Sequence, residues 1–129
     1  MEVLLFLDDK RNPFLDPLYT VASRTTRIIW VRNFEEFKEY FLRGNSLPDV
    51  VSFDHDLHDE HYTPERFWDN YDESKKYQEE KYLEYKHETG KGCAEFMLKH
   101  YRQLSEDLPT ILVHSANPVG RDMILSVFR

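Results

Sequence analysis

Four short apolar runs punctuate the chain, and each meets polar or charged residues at its end. They are Val3-Leu4-Leu5-Phe6-Leu7, Arg27-Ile28-Ile29-Trp30-Val31, Val50-Val51-Ser52-Phe53 and Thr110-Ile111-Leu112-Val113. Their length, weak alternation and β-branched or aromatic bias predict buried parallel strands. Between the second and third runs, Phe34, Phe37, Tyr40 and Phe41 recur at helical spacing. Asn33 is a good N-cap for that helix, Glu36 its capping-box partner and Gly44 its stop. A second stripe, Cys93, Phe96, Met97, His100, Tyr101 and Leu104, follows Gly90-Lys91-Gly92. A third runs through Met123, Ile124, Val127 and Phe128 after Asn117-Pro118. Residues 8–26 carry Pro13 and Pro17, which predicts an irregular connection or one short helix.

This order of elements predicts an α/β fold, a single three-layer domain spanning 1–129. Parallel neighbours need crossovers, and those are right-handed. The simplest arrangement is a four-stranded parallel sheet in order 2-1-3-4. Its first and third strands are then central neighbours, about 4.8 Å apart.

Residues 58–89 interrupt the pattern. The stretch is rich in Glu, Lys and Tyr, and its apolar content is mostly aromatic: Tyr62, Phe67, Trp68, Tyr71, Tyr77, Tyr82 and Tyr85. Thr63-Pro64-Glu65 reads as a helix start, with Pro at the first helical position. The expectation is a solvated, charged helical insertion, favoured over a substrate lid.

Length and charge narrow the function. A chain of 129 residues can bury a core without staples. The formal net charge of −7 argues against a binder of long nucleic-acid duplexes or of anionic membranes. The lone cysteine, Cys93, cannot form an internal disulfide, which suits a cytoplasmic protein. The apolar start lacks the basic flank of a signal peptide, and no segment approaches a transmembrane span. Oligomeric state is not legible.

The chemistry gathers where the strands end. Asp8-Asp9, Asp54-His55-Asp56 and His114-Ser115-Ala116-Asn117 follow the first, third and fourth runs. Ligands of open α/β sheets bind outside the carboxyl ends of the strands, so these clusters should meet. Four carboxylates on one rim repel and call for a cation or a held proton. Hard oxygen donors suit Mg²⁺, with Mn²⁺ possible. Asp9 and Asp54 are the expected direct ligands, with Asp8 as ligand or as support. Arg11 would grip a phosphate or pair with Asp8 or Asp54. His55, oriented by one of the two acids that flank it, and His114, from another strand, would transfer protons; either could instead bind the metal. Ser115 and Asn117 are placed for substrate contact, and the N-terminus of the last helix is a natural anion site. His58, His61, His87 and His100 have no such placement and read as structural or surface residues.

Pro48-Asp49-Val50-Val51-Ser52-Phe53-Asp54 resembles the third strand of response-regulator receiver domains. In that family the final Asp accepts phosphate, an acid pair holds Mg²⁺ and a Ser or Thr follows the fourth strand; Asp54, Asp8-Asp9 and Ser115 match those places. Two features depart from it: there is no Lys after a fifth strand, and His55-Asp56 is foreign to ordinary receivers. A closer resemblance is to the cyclic-phosphate processing receiver domains. It is carried by Leu7-Asp8-Asp9-Lys10-Arg11-Asn12-Pro13, Ser52-Phe53-Asp54-His55-Asp56-Leu57, Thr89-Gly90 and Val113-His114-Ser115-Ala116-Asn117-Pro118-Val119-Gly120-Arg121. The resemblance implies a reduced receiver, flavodoxin-like fold lacking the fifth strand, and a role in processing cyclic phosphates. The 58–89 insertion is long for that family.

The expected function is therefore a metal-dependent phosphoesterase acting on the cyclic phosphate of a nucleotide or RNA end. Asp8, Asp9 and Asp54 would hold the metal. His55, Asp56 and His114 would be catalytic, and Arg11, Ser115, Asn117 and Arg121 would bind substrate. The alternatives are a non-catalytic binder that sequesters a nucleotide signal and a degenerate phosphoacceptor receiver.

Overall fold

A computed structural model describes residues 2–15 and 26–129. Its strands are β1 (Glu2–Leu7), β2 (Thr26–Val31), β3 (Val50–Phe53) and β4 (Thr110–Val113). They form one parallel sheet in the order β2-β1-β3-β4, the simplest arrangement expected. Leu7 lies beside both Val31 and Phe53, and Phe53 beside Val113. The four strands thus end level. The ladder continues one residue further, because the N–H groups of Asp8, Asp54 and His114 donate to Val31, Leu7 and Phe53. That extra step fixes the backbones from which the polar side chains depart.

Strand alternation divides the core. Leu5, Leu7, Val51 and Phe53 share one face with buried residues of three helices: α1 (Phe34–Leu42), α3 (Gly90–Leu104) and α4 (Pro118–Val127). Those residues are Phe37, Tyr40 and Phe41, then Cys93, Ala94, Met97 and Tyr101, then Ile124. Leu4, Phe6 and Ser52, on the other face, are buried too. Residues 16–25, most of the 8–26 connection, lie outside the described residues. Among the described residues, no helix is long and apolar enough to cross a membrane.

The predicted caps form. Asn33 accepts from the Glu36 N–H at 2.9 Å, while the Glu36 carboxylate reaches back one residue further than expected, to the Arg32 N–H. Asn117 accepts from the Gly120 N–H at 3.0 Å. Gly90 serves close approach: a Cβ there would stand 1.9 Å from the Asp54 carbonyl oxygen. The Gly90 N–H donates to the His55 carbonyl at 2.8 Å, so α3 starts directly on the backbone of the acid cluster.

The insertion differs from its expected form. Thr63-Pro64-Glu65 opens only a 3-10 turn, Glu65–Phe67. The helix, α2 (Tyr71–Tyr82), begins later, with Asn70 accepting from the Glu73 N–H. Its buried residues are polar, Ser74 and Gln78. Gln78 exchanges two amide hydrogen bonds with Asn117, of 3.2 and 3.0 Å. The two ends of the insertion are clasped together. His58 and His87 stack with centroids 3.8 Å apart, and Glu60 accepts the N–H groups of Lys86 and His87. Buried His61 accepts from the Leu57 N–H at Nδ1 and donates from Nε2 to the His87 carbonyl. These three histidines join the two ends of the insertion.

Candidate active site at the strand ends

Residues 6, 8, 52, 54 and 114 fall on one parity of the sheet, and the first group of polar side chains is built there. His114 stacks on Phe6, with centroids 4.3 Å apart and planes within 8°. Its Nε2 lies 3.0 Å from Asp8 Oδ2 and its Nδ1 2.7 Å from Ser52 Oγ. A carboxylate only accepts, so Nε2 carries the proton, and in the neutral ring the Ser52 hydroxyl donates to Nδ1. Asp8 also accepts from the N–H groups of Lys10 and Arg11 and from Arg11 Nη1. Burial alone would raise the Asp8 carboxyl, but the bonds from His114 and from the Arg11 and Lys10 backbone outweigh it and hold it below its ordinary value.

Asp54 meets the opposite outcome. It is buried, and burial first, then the charges of Asp8, Asp56 and Asp9, push it up to about 8 against the pull of Arg11. Arg11 Nη1 is 3.2 Å from Asp8 and 3.9 Å from Asp54, so the ion-pair alternative for this residue holds. One ligand atom each of Asp8, Asp54 and His114 lies within 4.8 Å of the others.

In front of this network is a cleft of about 590 Å³. Its floor and one side are Arg11, Asp54, Asp56, Ser115, Ala116, Asn117 and Pro118. Its other side is the insertion, through Tyr62, Thr63, Trp68, Asp69, Tyr71 and Ser74. The expected solvated helix is thus one wall of the site. Asp56 Oδ1 accepts from His55 Nδ1 at 2.8 Å, and Asn117 Nδ2 is 3.4 Å from both Asp56 oxygens. One cleft therefore holds two buried carboxylates, a guanidinium, a hydroxyl and the capped end of a helix. That collection can bind a phosphoryl group and exchange a proton beside it.

The family model for the cyclic-phosphate processing receiver domain matches residues 3–129. The chain belongs to that family. No curated protein and no solved structure matches it.

Within this cyclic-phosphate processing receiver domain, four of the expected site residues are differently placed. Asp9 is not in the group formed by Asp8, Asp54 and His114. Its Oδ1 is 3.4 Å from the Tyr62 hydroxyl, and it lines a separate depression with Arg32, Asn33 and Glu36. Its parity explains this, since residue 9 leaves the sheet on the side opposite residue 8. His55 is buried and does not line the cleft. Its ring lies against α4, where a Cβ on Gly120 would come within 2.4 Å of it. Its Nδ1 bonds Asp56, which does line the cleft. His114 stands behind the cleft, between Asp8 and Ser52. Arg121 is exposed and does not line the cleft.

Asp54, Asp56, Arg11, Ser115 and Asn117 are brought together as expected. Ser52 was not foreseen, although a hydroxyl inside a fully buried strand was its signal. Gln78 was also missed, because α2 turns polar residues inward and offers no apolar periodicity to read; the insertion's aromatics were named, with a solvated helix favoured over a wall or lid of the site.

Proposed function

We propose that this domain is a metal-dependent phosphoesterase that opens the cyclic phosphate of a nucleotide or RNA end. The observation that carries the reading is Asp54. It is a buried carboxyl pushed up to about 8, on the floor of a cleft that also presents Arg11 and Ser115. A carboxyl so crowded by other acids is stabilised by a cation.

The carboxylates of Asp8 and Asp54 would offer oxygen ligands that fit Mg²⁺ or Mn²⁺, with His114 orienting Asp8 through its Nε2–H. Such an ion would polarise a phosphoryl oxygen and ease deprotonation of water. The chain's own residues do the rest. Arg11 and Ser115 hold non-bridging oxygens, and the N-terminus of α4 adds its dipole. Asp56, held by His55 and Asn117, takes the proton of the attacking water. The new P–O bond forms as the ring P–O bond breaks. The departing oxygen gains its proton from water in the cleft, and the product is a phosphomonoester.

The test is turnover of a nucleoside 2′,3′-cyclic phosphate followed by phosphorus NMR with Mg²⁺ or Mn²⁺. Asp56→Asn should lower the rate by about 10² to 10⁴-fold, the usual range for a lost general base. Tight binding with the ring recovered intact would replace this reading with a sequestering binder. Stable phosphate on Asp54 after treatment with a small phosphodonor would replace it with a phosphoacceptor.

A further inference from the structure

Trp68 is 69% exposed, Tyr71 41% and Tyr62 40%, yet all three line the cleft that holds Arg11 and Ser115. Each has its polar atom engaged inside the protein. Trp68 Nε1 donates to the Thr63 carbonyl at 2.8 Å. The Tyr71 hydroxyl donates to Asp122 Oδ2 at 2.6 Å, tying the insertion to α4. The Tyr62 hydroxyl is 3.4 Å from Asp9 Oδ1, and Lys10 Nζ sits 4.2 Å from the centre of its ring. What remains for a ligand is aromatic surface, not hydrogen-bonding groups. Ring orientations fixed in this way suit stacking, which needs a flat π-face and little base identity.

We infer that the insertion wall is a nucleobase subsite, with Trp68 as its principal stacking residue. This rests on the preceding reading only for where the phosphoryl group lies, at Arg11 and Ser115. A cleft of about 590 Å³ with a phosphate end and an aromatic end suits one nucleotide. The base, and not the cyclic phosphate alone, is thereby part of what the cleft recognises. Asp69 lies on the same wall and keeps it acidic, which disfavours a second phosphate near the base.

The experiment is calorimetric binding of a nucleoside 3′-monophosphate and of glycerol 2-phosphate, which has no base, to the full chain with Mg²⁺. The wild type should prefer the nucleotide by about tenfold or more, the effect of one base–aromatic stack. Trp68→Ala should erase most of that preference and leave glycerol 2-phosphate binding unchanged. Trp68 is largely exposed, so an unchanged melting temperature checks that the fold persists. Equal affinity for the two ligands in the wild type, or an unaltered preference in Trp68→Ala, overturns the subsite. The two readings fail separately. A Trp68-dependent preference with no ring opening sinks the phosphoesterase alone. Ring opening of glycerol 1,2-cyclic phosphate as efficient as that of the nucleotide, untouched by Trp68→Ala, sinks the subsite alone.

Discussion

Asp8 and Asp54 follow adjacent strands on the same side of the sheet, and their surroundings drive their protons in opposite directions. Asp8 collects four hydrogen-bond donors and stays ionised. Asp54 has one backbone donor, from His55, and Arg11 only at 3.9 Å. Burial and three neighbouring acids then hold its proton up to about pH 8. A divalent cation bound there must displace that proton. Mg²⁺ or Mn²⁺ affinity should therefore rise about tenfold per pH unit toward pH 8 and level off above it. Titration calorimetry across that range checks this, and a flat profile would remove Asp54 from the ligand set. The same comparison explains why parity decided the site. Residues 8, 54 and 114 share a side of the sheet, whereas 9 and 55 leave from the other, so neighbours in sequence are parted in space.

Among the elements, those whose signals are local were legible. Asn33 and Asn117 are N-caps because their side chains reach N–H groups three residues on, which sequence spacing states directly. The strands were legible because burial on both faces makes them continuously apolar. The insertion was not. Its helix is held by Gln78, whose amide pairs with Asn117, and Asn117 in turn reaches Asp56. A polar contact between distant residues leaves no periodic trace. Gln78→Ala removes both amide bonds and should cost about 1–3 kcal/mol. Thermal melts would show the loss, and hydrogen exchange should quicken over 70–88 before it quickens in the sheet. Uniform quickening throughout the chain would mean that α2 is not a separately tethered unit.

For the molecule as a whole, the buried titrating groups set a pH window for stability. Burial pushes the His61 imidazole below 6.5, its ordinary value, so the unfolded chain binds that proton more readily. Stability from His61 is complete above 6.5 and is lost as pH falls through its folded value. Asp54 acts in the other sense. Its stability is greatest below 3.8 and is lost as pH rises through about 8. Above 6.5 only the Asp54 contribution still changes, so cation-free protein should lose stability as pH rises from there toward about 8. Saturating Mg²⁺ should flatten the alkaline limb and leave the acid limb in place. Melting temperatures measured across pH, with and without the ion, check both; an alkaline limb indifferent to Mg²⁺ would count against the cation.

The clasp at residues 58 and 87 reaches beyond stability. Because the insertion leaves and re-enters the domain at stacked rings 3.8 Å apart, its length is invisible to the sheet. Closing a longer or shorter loop across a fixed gap changes the entropy only slowly with length. The insertion's length can therefore vary so long as Gln78 and Tyr71 keep their bonds to Asn117 and Asp122. Such a chain is in effect a socket and a cassette: on the proposed reading, one part would hold the phosphoryl group, and the other would choose what that group is attached to.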